Sequence, residues 1–332
     1  MAGPAPIAIS MGEPAGIGPD LVLKLYAESD QHCVPPFMVY GNMGFLAARA
    51  RRLGLNINFA ATTPGDAVAQ FPVALPVHHI EGLVPDKPGE TSPLSGKVVM
   101  EAISQAVTCV LEGACRAVVT APIHKAALYK AGFKYPGHTE YLAALCAGNA
   151  TPPLPVMMMV HEDLRVVPLT IHVPLRDVPA MITPKLIRDT VLVVEHDLRT
   201  RFGIAEPRLA ITGLNPHAGE AGSIGLEDRD IILPTVIDLQ HNGTLIEGPF
   251  SADTAFHLPN WRKFDAVIAM YHDQALIPIK TVAFEDGVNV TLGLPIVRTS
   301  PDHGTAFDLA GTGNGSVASM LAALRLADKL AA

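Results

Sequence analysis

Three histidines stand where apolar, strand-like runs stop. His172 follows the run Val166 to Ile171, His217 follows Leu209 to Pro216, and His272 follows Ala266 to Tyr271. In an open α/β sheet the carboxyl ends of the strands form the ligand crevice, so three imidazoles delivered there could converge on one divalent ion. Their intervals, 45 and 55 residues, match no short zinc signature. Each histidine taken alone also reads as a satisfied structural residue, and the case for a metal rests on the repeated context. Three imidazoles with an open coordination position suit Lewis-acid chemistry on an alcohol or carbonyl, and equally metal-assisted hydrolysis.

Polar chemistry gathers again in Tyr271-His272-Asp273-Gln274 and then at Lys280, Asn289 and Arg298, inside otherwise apolar sequence. Lys280 and Arg298, both in sequence read as β-prone, are the local cations suited to a phosphate, Lys as a point charge and Arg as a planar fork; the alternative is two surface charges. Gly137-His138-Thr139-Glu140 precedes an apolar helix, Tyr141 to Cys146. Thr139 there is either a helix N-cap or, with His138, a contact to a polar substrate. The glycines of Gly12-Glu13-Pro14-Ala15-Gly16-Ile17-Gly18 either offer N–H groups to an anion or make a tight strand-to-helix turn. Their spacing fits neither the dinucleotide fingerprint nor the Walker A loop. Asp302 to Gly311, polar, bounded by glycine and close to a final helix, reads as a binding loop.

The elements that must position these residues alternate. Ile7 to Ser10, Met38 to Gly41, Ala117 to Thr120, Val156 to Val160 and Leu164 to Ile171 read as strands, with Thr244 to Ile246 a short one after the Asn242-Gly243 turn. Helices are expected from Pro19, over Phe45 to Arg52, over Pro184 to Leu198 and over Ser316 to Leu330. A Pro/Gly/Ser-rich stretch, Pro85 to Gly96, leads into a long amphipathic helix whose apolar residues Val99, Ile103, Ala106, Val107, Val110 and Leu111 recur at helical spacing. Alternating strands and helices predict a mainly parallel sheet covered on both faces.

Composition sets the outer bounds. Hydrophobic residues make up 49% of the 332 and charged residues 17%, which suits a folded chain of two lobes. A formal net charge of −8 with no Lys/Arg-rich run argues against nucleic acid as a partner. Cys33, Cys109, Cys115 and Cys146 show neither metal-binding nor disulfide-scaffold spacing. With no apolar run approaching bilayer length and no secretory leader pattern, a cytoplasmic protein that does not enter membranes is expected.

The loop from Asp302 to Gly311 resembles the HG[ST]AxDxAG loop with which isopropylmalate and isocitrate dehydrogenases cradle the adenosine part of a nicotinamide cofactor. The whole chain resembles the 4-hydroxythreonine-4-phosphate dehydrogenase family of vitamin B6 biosynthesis. The match runs through Met11 to Pro19, Val119 to Lys125, Gly137 to Glu140, Gly213 to Glu220, Tyr271 to Gln274, Gly287 to Pro295 and Arg298 to Ser300.

That resemblance implies a two-lobed, three-layer α/β/α fold of the isocitrate/isopropylmalate dehydrogenase type, not a Rossmann fold, with the site in the cleft. Residues 1–125 and 282–332 would form the cofactor lobe, and 126–281 the metal, substrate and dimerisation lobe. It implies His172, His217 and His272 as metal ligands; His138, Thr139, Lys280, Asn289 and Arg298 as substrate contacts; and His303, Gly304, Thr305 and Asp308 as contacts to NAD or NADP. Asp253 and Asp273 fall on acidic residues near the site and, with Lys280, are the candidates for catalytic proton transfer. A homodimer is implied in which His272 of the partner subunit completes each metal site. Zinc, magnesium and cobalt all remain open, because imidazole ligands do not select sharply.

The expected reaction is NAD(P)-dependent oxidation of 4-phosphooxy-L-threonine at C3, with decarboxylation to 3-amino-2-oxopropyl phosphate. Relatives that act on 4-phospho-D-erythronate or D-threonate share the metal and cofactor motifs, as does a branch acting on aromatic cis-dihydrodiols. The Gly137-His138-Thr139-Glu140 segment resembles the B6 branch and speaks against the dihydrodiol branch. A metal-dependent phosphohydrolase and a non-catalytic binding protein are the readings from other classes.

Overall fold

The computed structural model describes residues 5–332. The chain divides into two compact units, one formed by Met1–Pro153 with Leu294–Ala332 and the other by Leu154–Gly293. The fold is α/β, as the alternation of elements predicts.

The first unit holds strands β1 (Ile7–Ser10), β2 (Phe37–Gly41), β3 (Phe59–Ala61), β4 (Leu75–His79), β5 (Ala117–Thr120) and, from the end of the chain, β12 (Arg298–Pro301). Their order is β3-β4-β2-β1-β5-β12, parallel throughout. β1, β2 and β5 are buried along their whole length, which is why they read as unbroken apolar runs rather than alternating ones. The long helix, Pro93–Leu111, starts at Ser92, whose hydroxyl accepts from the Leu94 N–H. It buries Val99, Ile103, Ala106 and Val107 on β1, β2 and β5, while Leu111 is exposed. By length and composition alone this helix could cross a membrane, contrary to the sequence expectation that no apolar run approaches bilayer length. Its packing makes it a core helix. The helices Lys125–Lys130 and His138–Ala147 pack on it in turn, which is why residues 126–153 belong to the first unit and not to the second as the sequence suggested.

The second unit contains β6 (Val156–His161), β7 (Leu164–Thr170), β8 (Leu209–Thr212), β9 (Ile246–Phe250), β10 (Ala266–Tyr271) and β11 (Val288–Leu292), in the order β11-β6-β7-β10-β8-β9. β7, β10, β8 and β9 are mutually parallel, whereas β11, β6 and β7 pair antiparallel. The departure from a parallel sheet has a simple cause: only Glu162 and Asp163 separate β6 from β7, too few for a crossover. Pairing of β11 with β6 likewise carries residues 282–293 into this unit, beyond the boundary expected at 281. β9 begins at Ile246, two residues later than the strand expected at Thr244.

A fully buried arginine organises the first unit's loops. Arg49, on helix Met43–Arg52, is 0% exposed and forms ion pairs with Asp20 and, at 2.6 Å, with Asp86. It also donates to the carbonyls of Pro14 (2.6 Å) and Gly16 (3.3 Å), and Asp20 accepts from the Gly311 N–H at 2.6 Å. The glycine turn after β1 and the loop before the last helix, Ala318–Leu330, are thereby held by one guanidinium. Arg49→Met is expected to lower stability by about 3–5 kcal/mol, because two carboxylates lose their buried partner. Urea denaturation checks this, and a loss below about 1 kcal/mol would show that the loops do not depend on Arg49.

Candidate functional site

In the second unit the three histidines come from three neighbouring strand ends. His172 lies just past β7, His272 is the first residue of the helix His272–Val282 directly after β10, and His217 sits in the loop after β8. Because the strand order is β7-β10-β8 and all three run parallel, their carboxyl ends share one edge of the sheet. The rings of His172 and His272 have centroids 5.7 Å apart. They line a depression of about 270 Å³ together with Ile171, Leu175, Tyr271 and Asp273. Among the described residues of one chain no group of three metal-ligating side chains is assembled. The donor chemistry fits a metal, and one chain by itself leaves the set incomplete.

His217 opens a run of left-handed backbone, His217 to Ala221, with φ of 53° at His217 itself. For residues other than glycine this conformation costs on the order of 1 kcal/mol each, so something must hold it. Asp228 does so. It is 1% exposed and accepts from the N–H groups of Leu214 (2.7 Å) and Asn215 (3.1 Å) and from the Asn215 side chain (2.8 Å). A Cβ on Gly213 would stand 2.5 Å from the Asp228 carboxylate, so only glycine lets the loop close on it. Sequence reasoning missed Asp228. The available signal was a glycine-rich loop full of N–H donors followed by a helix start carrying Glu227, Asp228 and Asp230, among which the sequence does not single out Asp228.

The strand ends are tied to one another by side chains. The Thr170 hydroxyl donates to the Met270 carbonyl at 2.8 Å, joining β7 to β10. Gln274 accepts from the Met270 N–H (2.7 Å) and the Thr212 hydroxyl (2.8 Å) and donates to the Gly213 carbonyl (2.9 Å), joining β10 to β8.

The two candidate acids both lie at this edge. Asp253 follows β9, and the Ser251 hydroxyl, helped by the nearby His217, holds its carboxyl below the usual range. Asp273 lines the depression, and its carboxylate meets His272 Nδ1 at 2.7 Å. Lys280 lies in the last turn of helix His272–Val282, not in the β-structure expected for it, because the helix opening at His272 continues through Pro278. Its Nζ stands 5.8 Å from the centre of the Phe284 ring. Asn289 is in β11, and its side-chain oxygen is buried without a hydrogen-bond partner.

The first unit carries the remaining candidates. Arg298 opens β12, is 4% exposed, and donates to the Thr120 hydroxyl at 3.2 and 2.7 Å. Burial lowers its pKa to about 10, which leaves it cationic at neutral pH. His138 and Thr139 lie in the first turn of helix His138–Ala147, with Gly137 at the N-cap, so Thr139 is not the cap. The His138 Nε2 is buried without a partner. Burial, reinforced by the charge of Arg298, pushes the His138 pKa well below its ordinary value.

The glycine turn after β1 does not offer an anion nest. The N–H groups of Glu13, Ala15, Gly16 and Ile17 all donate within the protein, the last to the Thr305 carbonyl at 2.8 Å. A Cβ on Gly12, at φ 76°, would meet the Pro122 carbonyl at 2.7 Å. The tight-turn reading therefore holds, and the turn serves to seat the loop at 302–311. In that loop His303, Gly304 and Asp308 are exposed, and Phe307 meets His124 edge-on at 5.2 Å.

A family model described as pyridoxal phosphate biosynthetic protein PdxA matches residues 32–327. The 4-hydroxythreonine-4-phosphate dehydrogenase of Methylorubrum populi is 51% identical over 329 residues, covering 98% of this chain and 94% of that relative. A solved 4-hydroxythreonine-4-phosphate dehydrogenase from Klebsiella pneumoniae is 36% identical with a TM-score of 0.86, covering 99% of this chain and all (100%) of that one. A terephthalate 1,2-cis-dihydrodiol dehydrogenase from Burkholderia xenovorans LB400 is 27% identical with a TM-score of 0.64, covering 98% of each chain.

The neutrality of His138 gives a pH test. Its folded pKa lies below the unfolded value of about 6.5, so below that pH the unfolded chain takes up a proton that the folded chain refuses. Stability should fall as pH drops through about 6.5, and His138→Gln should remove that part of the fall. Urea denaturation of both proteins between about pH 5 and 8 checks it. Parallel curves would show that His138 is not held neutral.

Proposed function

The chain belongs to the PdxA family and is a dehydrogenase of the NAD(P)-dependent class, and we propose that it oxidises 4-phosphooxy-L-threonine at C3 in vitamin B6 biosynthesis, with decarboxylation to 3-amino-2-oxopropyl phosphate. The observation that carries this reading is the presentation of three imidazoles by three adjacent parallel strand ends, in a chain matching the family over nearly its whole length.

His172, His217 and His272 would hold a divalent ion, zinc, cobalt or magnesium, which when bound supplies Lewis-acid stabilisation of negative charge on the C3 oxygen and, later, on the decarboxylating β-keto acid. Three neutral imidazoles leave that ion its full charge. Arg298 and Lys280 would grip the phosphate, Arg298 with its geometry fixed by Thr120. His138, kept uncharged, and Asn289 each bring a buried polar atom without a protein partner, as a hydrogen-bonding ligand requires. Thr139 adds a hydroxyl beside His138. Asp253 and Asp273, both at this edge of the sheet, are the candidate proton acceptors. His303, Gly304, Thr305 and Asp308 would seat NAD or NADP, from which the nicotinamide accepts the hydride.

The site is proposed to be shared in a homodimer, with His272 of the partner subunit joining His172 and His217. Two features support this: the described residues of one chain assemble no three-ligand group, and Leu175, which lines the depression with His172 and His272, is an apolar side chain left 66% exposed. Among the described residues no cysteine is in a disulfide, which suits a cytoplasmic location.

The direct test is turnover of 4-phosphooxy-L-threonine, 4-phospho-D-erythronate and 4-phospho-D-threonate with each nicotinamide, read as growth of reduced-nicotinamide absorbance. Faster turnover of either sugar-acid phosphate than of the amino acid would move the protein to catabolism. Phosphate release without nicotinamide reduction would make it a phosphohydrolase.

Lys280→Ala and Arg298→Ala should each raise KM by roughly 10- to 150-fold, since each removes a charge-assisted contact of about 1.5–3 kcal/mol. Normal KM in both variants would put the phosphate elsewhere. For the shared site, inactive His172→Ala and inactive His272→Ala subunits should complement when mixed. Random exchange gives about half mixed dimers with one intact site of two, so roughly a quarter of wild-type activity should return. Demonstrated exchange without recovery would mean that each chain builds its own site.

A further inference from the structure

Gln274 lies in the first turn of helix His272–Val282, and its amide is engaged on both sides by backbone. Its Oε1 accepts from the Met270 N–H and the Thr212 hydroxyl, at 2.7 and 2.8 Å, and its Nε2 donates to the Gly213 carbonyl at 2.9 Å. A backbone N–H can only donate and a carbonyl only accept, so the amide has a single orientation here. The contact to Met270 resembles the reach-back of a capping box, displaced by one residue.

The location of this amide matters more than its bond count. Backbone pairing between β10 and β8 runs Ala266↔Leu209, Val267↔Ala210, Ile268↔Ile211 and then stops. Beyond Ile268 the two strands continue toward His272 and toward the loop bearing His217, and there Gln274 takes over the role of the ladder. On the other side the β10–β7 ladder continues to Tyr271↔Thr170, and the Thr170 hydroxyl adds a bond to the Met270 carbonyl. Met270, held from both sides, is therefore the fixed point from which His272 is presented.

We propose that Gln274 is a positioning residue for metal binding: by clamping Met270, Thr212 and Gly213 it fixes the positions from which this chain offers His217 to one ion of the dimer and His272 to the other. The proposal rests on these histidines being metal ligands. Outer partners of this kind typically change metal affinity 10- to 100-fold when removed.

Gln274→Glu is the informative variant, because it keeps size and the acceptor facing Met270 but turns an oxygen toward the Gly213 carbonyl in place of a donor. Gln274→Met, which removes all three bonds at similar length, is the second variant. Metal-free full-length protein is titrated with Co²⁺ against a competing chelator, with visible absorption reporting coordination and a thermal scan of the metal-free protein reporting the fold. Both variants should bind Co²⁺ about 10- to 100-fold more weakly, with an altered visible spectrum, while the metal-free unfolding midpoint stays near wild type. Unchanged affinity and spectrum in both variants overturn the proposal and leave the metal site standing. An affinity loss accompanied by collapse of the metal-free fold also overturns it, since Gln274 then supports only the fold. Wild-type protein that binds no Co²⁺ removes the metal site itself, a failure distinct from the other two.

Discussion

The parallel ladder joining β7, β10 and β8 is the constraint on which the chemistry of the second unit depends. Parallel strands return through crossovers, so their carboxyl ends face one way, and three histidines far apart in the chain become neighbours along one edge. A slip of one residue in any of these pairings would turn every side chain of that strand to the opposite face. The polar groups that close the strand ends are therefore part of the site. Gln274 and Asp228 act where the β10–β8 ladder has run out and the chain must leave the sheet at a fixed angle, and Thr170 braces the last paired position of β7 and β10.

Buried charge separates architecture from function. Arg49 spends its donors on two carboxylates and two carbonyls of its own unit, which is the pattern of a structural arginine. Asp228 is similar in kind, with its oxygens committed to the loop it shapes. His138 and Asn289 differ. Each has a buried polar atom with no hydrogen-bond partner, and folded proteins rarely tolerate such atoms without a reason. Arg298 is a buried cation whose pKa is lowered by desolvation.

The glycine turn after β1 shows how a suggestive motif can serve packing. Its N–H groups look available in the sequence, yet Pro122 and Thr305 supply carbonyls that take two of them, and Glu13 takes two more. The turn positions the loop at 302–311 instead of binding an anion itself.

The sequence by itself determined the α/β class, most strands and the long core helix, because hydrophobic periodicity and turn residues are local properties. It also located the three histidines at strand ends, and its motifs in order carried the family. The hairpin that reverses β6 and β7 was legible in principle from the two residues between them, whereas Lys280 read as β-structure because its apolar surroundings suit either a strand or a buried helix. Tertiary structure alone decided which strands are neighbours, and so that His272 stands between His172 and His217 in strand order. It alone supplied Asp228, Gln274 and Arg49 with their tasks, since their partners lie 14, 61 and 29 residues away and no local pattern announces such pairings. A hydrogen bond is chosen by what the fold brings within 3 Å, and sequence separation carries almost no information about that.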